Sequence, residues 1–158
     1  MLEEAKKRCQ IRHDIHGDYM TTKPDSRLQG FLGEAAIKYC YPSLQYFDGT
    51  GHDLETEDQQ VTFDVKSGKV GTMPRVYFNI HLLAYQTIHA KHLIFCSVTE
   101  NYKSVIAKGH ISAEEFDQLK FTIAEGDRIG PRINDRPRFA IKGTQLNKMS
   151  TLTDLFEG

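Results

Sequence analysis

Val61-Thr62-Phe63-Asp64-Val65-Lys66 alternates apolar with polar residues over six positions, the period-two pattern of a strand buried on one face. Asp64 and Lys66 therefore project from the same side, with backbones roughly 6.5 to 7 Å apart, and both tips can reach one small ligand. A strand that turns Val61, Phe63 and Val65 inward has no packing reason to place a carboxylate and an ammonium on its other face. A plain surface ion pair there is worth under about 1 kcal/mol. The chemical alternative is a divalent-cation site, because Mg²⁺ takes oxygen ligands, often from only one or two protein carboxylates, and keeps waters and substrate oxygens. Asp53, in Gly51-His52-Asp53-Leu54, is the candidate for the second carboxylate. The lysine would orient or help deprotonate an attacking water and offset charge building on a phosphoryl group.

Upstream, Ser26 with Gln29 forms a capping-box pattern. Leu28, Phe31, Leu32, Ala35, Ala36 and Tyr39 then recur at helical spacing until Pro42, which predicts an amphipathic helix with Gly30 and Glu34 on an adjoining face. Before it, the chain to about His13 reads as a charged helix, and Gly17 to Asp25 as a loop. Gly49, Thr50 and Gly51 mark a turn between short extended pieces from Leu44 to Leu54. Downstream, Asn79 to Ala90 reads as a helix, Leu93 to Val98 as a fully buried strand, and Ser104 to Lys108 as another strand. Ser112 with Glu115 opens a short helix holding Phe116 and Leu119. Gly126 to Pro137 reads as a surface loop, followed by a Phe139-Ala140-Ile141 strand and a terminal stretch anchored by Leu146, Met149, Leu152 and Leu155.

With 158 residues, 39% hydrophobic and 26% charged, the chain has the composition of a globular protein and the length of one domain, 1–158. It shows no internal repeat or low-complexity tract. Its apolar runs are too short to span a membrane, and Met-Leu-Glu-Glu does not resemble a signal peptide. Cys9, Cys40 and Cys96 form no Cys-x-x-Cys pair, so a reducing, cytoplasmic setting is expected. The net charge of -1 conceals segregation: acids crowd Asp48 to Asp64, and Lys66, Lys69, Arg75, Arg128, Arg132, Arg136, Arg138 and Lys142 follow. That layout suits an acidic metal site flanked by phosphate-facing cations, although charge runs are commonly just solvated faces.

The combination of Gly30-Phe31-Leu32-Gly33-Glu34 on the helix, Gly51-His52-Asp53-Leu54, and Val61-Thr62-Phe63-Asp64-Val65-Lys66-Ser67 resembles the PD-(D/E)XK nuclease superfamily. The likeness extends from about Ser26 to Val98. His52 stands where the motif names proline, and Asp64 stands where many members have glutamate. The resemblance implies an α/β fold with a restriction-endonuclease-like core, a central mixed β-sheet flanked by helices. It also implies a Mg²⁺- or Mn²⁺-dependent DNA endonuclease of restriction-like, homing or phage type. In that likeness Asp53, Asp64 and the Val65 carbonyl bind the metal, Glu34 joins them through a water or a second ion, and Lys66 assists a metal-activated water. Gly30 and Gly33 would allow close approach of sheet or substrate. Junction-resolving and repair nucleases, and a catalytically inactive DNA-binding module, share the fold.

DNA is the partner so implied, with Lys69, Arg75, Gln86, Arg128, Arg132, Arg136 and Arg138 as candidate contacts. Tyr85 and Gln86 would face a phosphate or Lys66. A duplex break generally needs two active sites, so a homodimer is expected. A zinc site is the competing metal reading, from His89-x-x-His92 with Cys96 or from His13-x-x-His16, but neither has an identifiable complete ligand set. No Ser-His-Asp arrangement surrounds Ser67, which disfavours a covalent mechanism.

Overall fold

The computed structural model describes residues 1–7, 24–70, 80–83, 88–129 and 132–157, with the backbone alone at 24–26, 69–70, 80–83, 129 and 132. Residues 2–7 are helical (α1). There follow helix α2 (Pro24–Cys40), strands β1 (Gln45–Tyr46), β2 (Leu54–Glu55), β3 (Thr62–Val70), β4 (Ile80–Leu83), β5 (His92–Thr99) and β6 (Val105–Ser112), and helix α3 (Ala113–Leu119). Strands β7 (Phe121–Ile123), β8 (Arg128–Ile129), β9 (Arg132–Ile133) and β10 (Arg138–Ile141) come next, then short 3₁₀ helices at Gly143–Gln145 and Met149–Leu155.

The protein is α/β, built on a five-stranded mixed sheet in the order β1-β2-β3-β5-β6. Its centre is parallel, β3 against β5, and every other pairing is antiparallel. On one face Phe63, Val65, Ile94 and Cys96 pack against Ile37, Leu44, Leu54 and Leu152, while Val98 meets Ala5, Phe31, Leu32 and Ala35. On the other, Leu93, Phe95 and Ile111 pack against Phe116 and Ile141. Full burial of each such Leu, Ile or Phe contributes about 1.5–3 kcal/mol. The second face also carries Asp64 and Lys66. Their register partners on β5 are Leu93 and Phe95, and paired residues on neighbouring strands point the same way.

Helix α2 sits unusually close to β3 because of Gly33. A Cβ there would lie 2.0 Å from Ser67 Oγ and 3.4 Å from a Val65 methyl. Gln29 Nε2 donates to the Ser67 carbonyl at 2.6 Å and ties the two elements together. Gly30, expected to serve the same purpose, has nothing within 4 Å of its Cβ position.

Other expectations are corrected as well. The helix opens at Pro24 rather than at a Ser26 cap, so Pro24 and Asp25 belong to it, and Gln29 spends its amide on β3. Tyr39, placed in the apolar stripe, is 79% exposed, while Ile37 in the same last turn is buried against the sheet, so α2 turns Ile37 rather than Tyr39 inward. Ile80–Leu83 is not helical but forms β4, paired antiparallel with β10. Its apolar spacing fits either period, and the distant partner decides. The segment read as a loop from Gly126 contains β8 and β9, paired as a small ribbon, and β7 joins β4 and β10 in a second sheet of order β4-β10-β7. The Ser112 cap holds, with its hydroxyl accepting from Glu115 N at 3.0 Å. The end of the amino-terminal helix and most of the Gly17 to Asp25 loop lie outside the described residues.

Candidate functional site

Asp53 lies where β2 leaves β3. The two strands pair only through Leu54↔Phe63 and Glu55↔Thr62. Beyond that pair, Asp53 N donates to the Phe63 carbonyl at 2.8 Å, and the Asp53 carbonyl accepts from Phe47 N at 2.9 Å. The Val65 N–H, which no β2 main chain meets, donates to Asp53 Oδ2 at 2.8 Å. A strand residue presents its N–H and C=O to the same edge, so the Val65 carbonyl faces this edge too.

Asp64 stands next to Asp53 and hydrogen-bonds to it side chain to side chain. On its own strand Asp64 Oδ2 meets Lys66 Nζ at 2.9 Å, the same-face contact that the alternation predicted. Glu34 arrives from α2 and is buried, at 5% exposure. Burial, then the charge of Glu34, then that of Asp64 hold the Asp53 carboxyl well above the usual carboxylate range. Asp53 keeps some accessible surface as a residue, but its carboxyl end is drawn inward by the Val65 N–H. The site therefore crowds acids where an ionised carboxyl is costly.

The turn before Asp53 is braced. Phe47 stacks on His52 with ring centroids 3.9 Å apart and planes 11° apart. The same ring would meet a Cβ at Gly49 at 2.5 Å. His52 Nε2 bonds Glu55 Oε2 at 2.8 Å, with both side chains mostly covered. Gly51 takes φ of +110°, a conformation that L side chains rarely adopt, and so lets the chain turn into His52. Sequence reading left His52 without a role and overlooked Glu55 and Phe47. The available signal was alternation across Asp53-Leu54-Glu55, which puts both acids on the face of β2 opposite buried Leu54.

Among the described residues, no set of three or more His, Cys, Asp or Glu side chains closes around a point as a ready metal cage. The donor set fits instead the sparse kind of site a hydrated Mg²⁺ or Mn²⁺ uses: two carboxylates, Asp53 and Asp64, and a main-chain carbonyl at the same edge. The repulsion that raises the Asp53 carboxyl is what a cation there would offset.

The zinc residues do not gather in this way. Cys96 is buried in the core, where burial pushes its thiol up to about 12, His92 lies 5.7 Å from the Phe63 ring centroid, and His89 is exposed. His13 and His16 lie outside the described residues. Ser67 Oγ is buried with no hydrogen-bond partner, consistent with packing under α2 rather than nucleophilic use.

Among the candidate DNA contacts, Arg128 and Arg136 are exposed. Arg138 is engaged within the protein, donating from Nε to Asn134 Oδ1 at 2.9 Å and from a terminal nitrogen to Asp135 Oδ1 at 3.3 Å. Lys69 is on β3 and Arg132 on β9, and their side chains lie outside the described residues, as do Arg75, Tyr85 and Gln86 entirely. Among the described residues no helix is long and apolar enough to cross a membrane. No protein-family model matches the chain, and no curated protein matches it.

Proposed function

We propose that this chain is a metal-dependent DNA endonuclease with a restriction-endonuclease-like core similar to the PD-(D/E)XK superfamily, in which Asp53, Asp64 and the Val65 carbonyl hold Mg²⁺ or Mn²⁺. The observation that carries the reading is the crowding of Asp53, Asp64 and Glu34 at the edge of β3 with Lys66 beside them. Acids packed together beside Lys66, with the Asp53 carboxyl held above its usual range, are costly as structure and useful as chemistry.

When bound, the divalent cation supplies Lewis-acid polarisation of a phosphate oxygen and favours ionisation of a nearby water. The protein's own groups do the rest. Asp53, fixed by the Val65 N–H, and Asp64 draw the cation to the strand edge. Lys66, held by Asp64, orients the attacking water and offsets the charge growing on the phosphate oxygens. Glu34 accepts a hydrogen bond from water on the side facing α2. In-line attack forms the new O–P bond as the bond to the 3′ oxygen breaks, leaving a 5′-phosphate and a 3′-hydroxyl. One such site cuts one strand, so a symmetric homodimer is proposed for duplex breaks. A monomeric mass both alone and on duplex DNA would remove that part.

The test is a panel of duplex, single-stranded and branched DNA incubated with Mg²⁺, with ends mapped. Cleavage is expected to vanish in excess chelator and to fall by about 10² or more in Asp64→Ala and Lys66→Ala. Equal cutting by wild type and both variants, or undiminished cutting in chelator, overturns the proposal. The preferred member of the panel separates restriction-like from junction-resolving or repair use.

A further inference from the structure

Between β7 and β10 the chain leaves the second sheet as an antiparallel ribbon, β8 pairing with β9 through Arg128↔Ile133 and Ile129↔Arg132. The base of this ribbon is firmly held. Asn134, buried at 3% exposure, donates from Nδ2 to the carbonyls of Ile123 at 3.0 Å and Ala124 at 2.8 Å. Main-chain bonds run from Asn134 N to the Asp127 carbonyl at 2.7 Å and from Gly126 N to the Asn134 carbonyl at 2.8 Å. Asp127 Oδ2 accepts from Ala124 N at 2.8 Å, and Arg138 clasps Asn134 and Asp135 from outside.

The exposed side of the ribbon is of a different kind. Arg128 of β8 and Arg136, three residues beyond β9, are exposed, and Ile133 of β9 is 68% exposed. Because Ile133 is the register partner of Arg128, the two share a face. A polar network that pins the base, leaving arginines and an isoleucine outside, serves no core. Its position is also informative. Ile141 and Phe139 of β10 pack with Leu93 and Phe95, the register partners of Asp64 and Lys66. The ribbon thus grows from a sheet seated on the carboxylate-bearing face.

Resting on the nuclease reading above, we infer that the β8–β9 ribbon docks in a groove of duplex DNA, with Arg128 and Arg136 on phosphates or base edges and Ile133 against the base edges. A two-stranded ribbon fits the major groove, arginine reaches both phosphates and guanine edges, and an aliphatic side chain matches the thymine methyl. Arg138 acts as a positioning residue through Asn134 and makes no DNA contact.

The test is fluorescence anisotropy with a labelled duplex over a salt series, with Ca²⁺ replacing Mg²⁺, alongside cleavage in Mg²⁺. The double variant Arg128→Ala/Arg136→Ala is expected to bind about 10-fold or more weakly and to lose about two units of salt slope. The matching double lysine variant is expected to restore the slope. Ile133→Ser is expected to weaken duplex binding several-fold and single-strand binding little. If wild type neither binds nor cuts any DNA, the nuclease reading and the ribbon role fall together. If wild type cuts DNA while the double alanine variant keeps the wild-type affinity and slope, the ribbon role alone falls. A change of oligomeric mass in Ile133→Ser with unchanged DNA affinity likewise overturns it, making this face a contact between copies of the chain.

Discussion

Asp53 Oδ2 accepts the Val65 main-chain N–H at 2.8 Å, so a side chain completes the strand edge that β2 abandons beyond the Leu54↔Phe63 pair. The position of this carboxyl is set by a bond that does not need its charge. The charge itself is opposed by burial and by Glu34 and Asp64. Geometry and electrostatics at one residue therefore pull in opposite directions, as they do where a site is kept for a ligand rather than for stability.

Asp53→Asn separates the two. An amide oxygen still accepts from Val65, its NH₂ can donate to Asp64, and the repulsion disappears. Because the folded carboxyl is raised, the fold loses stability as pH rises above the unfolded value near 4, and the variant avoids that loss. The metal-free variant is expected to melt above wild type at pH 7, by about 2–4 °C for each kcal/mol of repulsion removed, and to match it near pH 3. Calorimetry in chelator checks this, and Mn²⁺ titration is expected to show weakened binding. A variant that melts below wild type at pH 7 would contradict the account.

Gly33→Ala tests the contact between α2 and β3. The added methyl would meet Ser67 Oγ at 2.0 Å and Ser67 Cβ at 3.3 Å, so the helix must move or Ser67 must turn, costing about 1–3 kcal/mol. Ser67→Ala alone removes a buried hydroxyl without a hydrogen-bond partner and is expected to be nearly neutral. Combined with Gly33→Ala it should recover a large part of the loss. Urea unfolding of the four proteins gives the coupling directly, and additive single effects would refute the clash.

The elements that were legible in the sequence are those whose own pattern is unambiguous. Alternation from Val61 to Lys66 placed Asp64 and Lys66 on one face, and their 2.9 Å contact agrees. The stripe through Phe31, Leu32 and Ala35 located α2, and the unbroken run at Leu93 to Val98 located the buried strand. Short elements defined by distant partners were not legible. Ile80–Leu83 is a strand because β10 lies beside it, and Arg128–Ile129 with Arg132–Ile133 form a ribbon of two residues a side, too short to show a period. Within the site, Asp53 depended on a resemblance rather than on periodicity. Glu55 and His52 went unrecognised because their partnership exists only once the Gly51 turn folds His52 back over Glu55.

That partnership has a measurable consequence. His52→Ala leaves the Glu55 carboxylate, at 8% exposure, without its 2.8 Å donor and uncovers the Phe47 ring. A lost hydrogen bond to a charged, buried group costs about 1.5–3 kcal/mol, and urea midpoints at constant m-value should show it. His52→Gln can keep a donor but not the stack, so an intermediate loss is expected. If alanine and glutamine variants are both as stable as wild type, the brace before Asp53 carries no weight.

The last expectation concerns acid. Burial holds His110 and His92 below the ordinary histidine range. For His110, a buried residue bonded through Nε2 to Thr151 Oγ1 at 2.9 Å, the backbone at Lys148 and the charges of Glu115 and Asp154 only partly oppose that effect. Both rings prefer to be neutral in the fold, whereas the unfolded chain takes up their protons near pH 6.5. The unfolded state then binds more protons, so stability is retained above that pH and is lost as pH falls through it toward the depressed folded values. With the opposing titration of Asp53 removed by Asp53→Asn, urea midpoints should therefore decline from pH 7 to pH 5. In that background His110→Gln, which can still bond Thr151 but cannot titrate, should show a shallower decline over the same interval. An unchanged slope would mean that the cost of protonating His110 is met elsewhere and that its burial does not limit the acid stability of the fold.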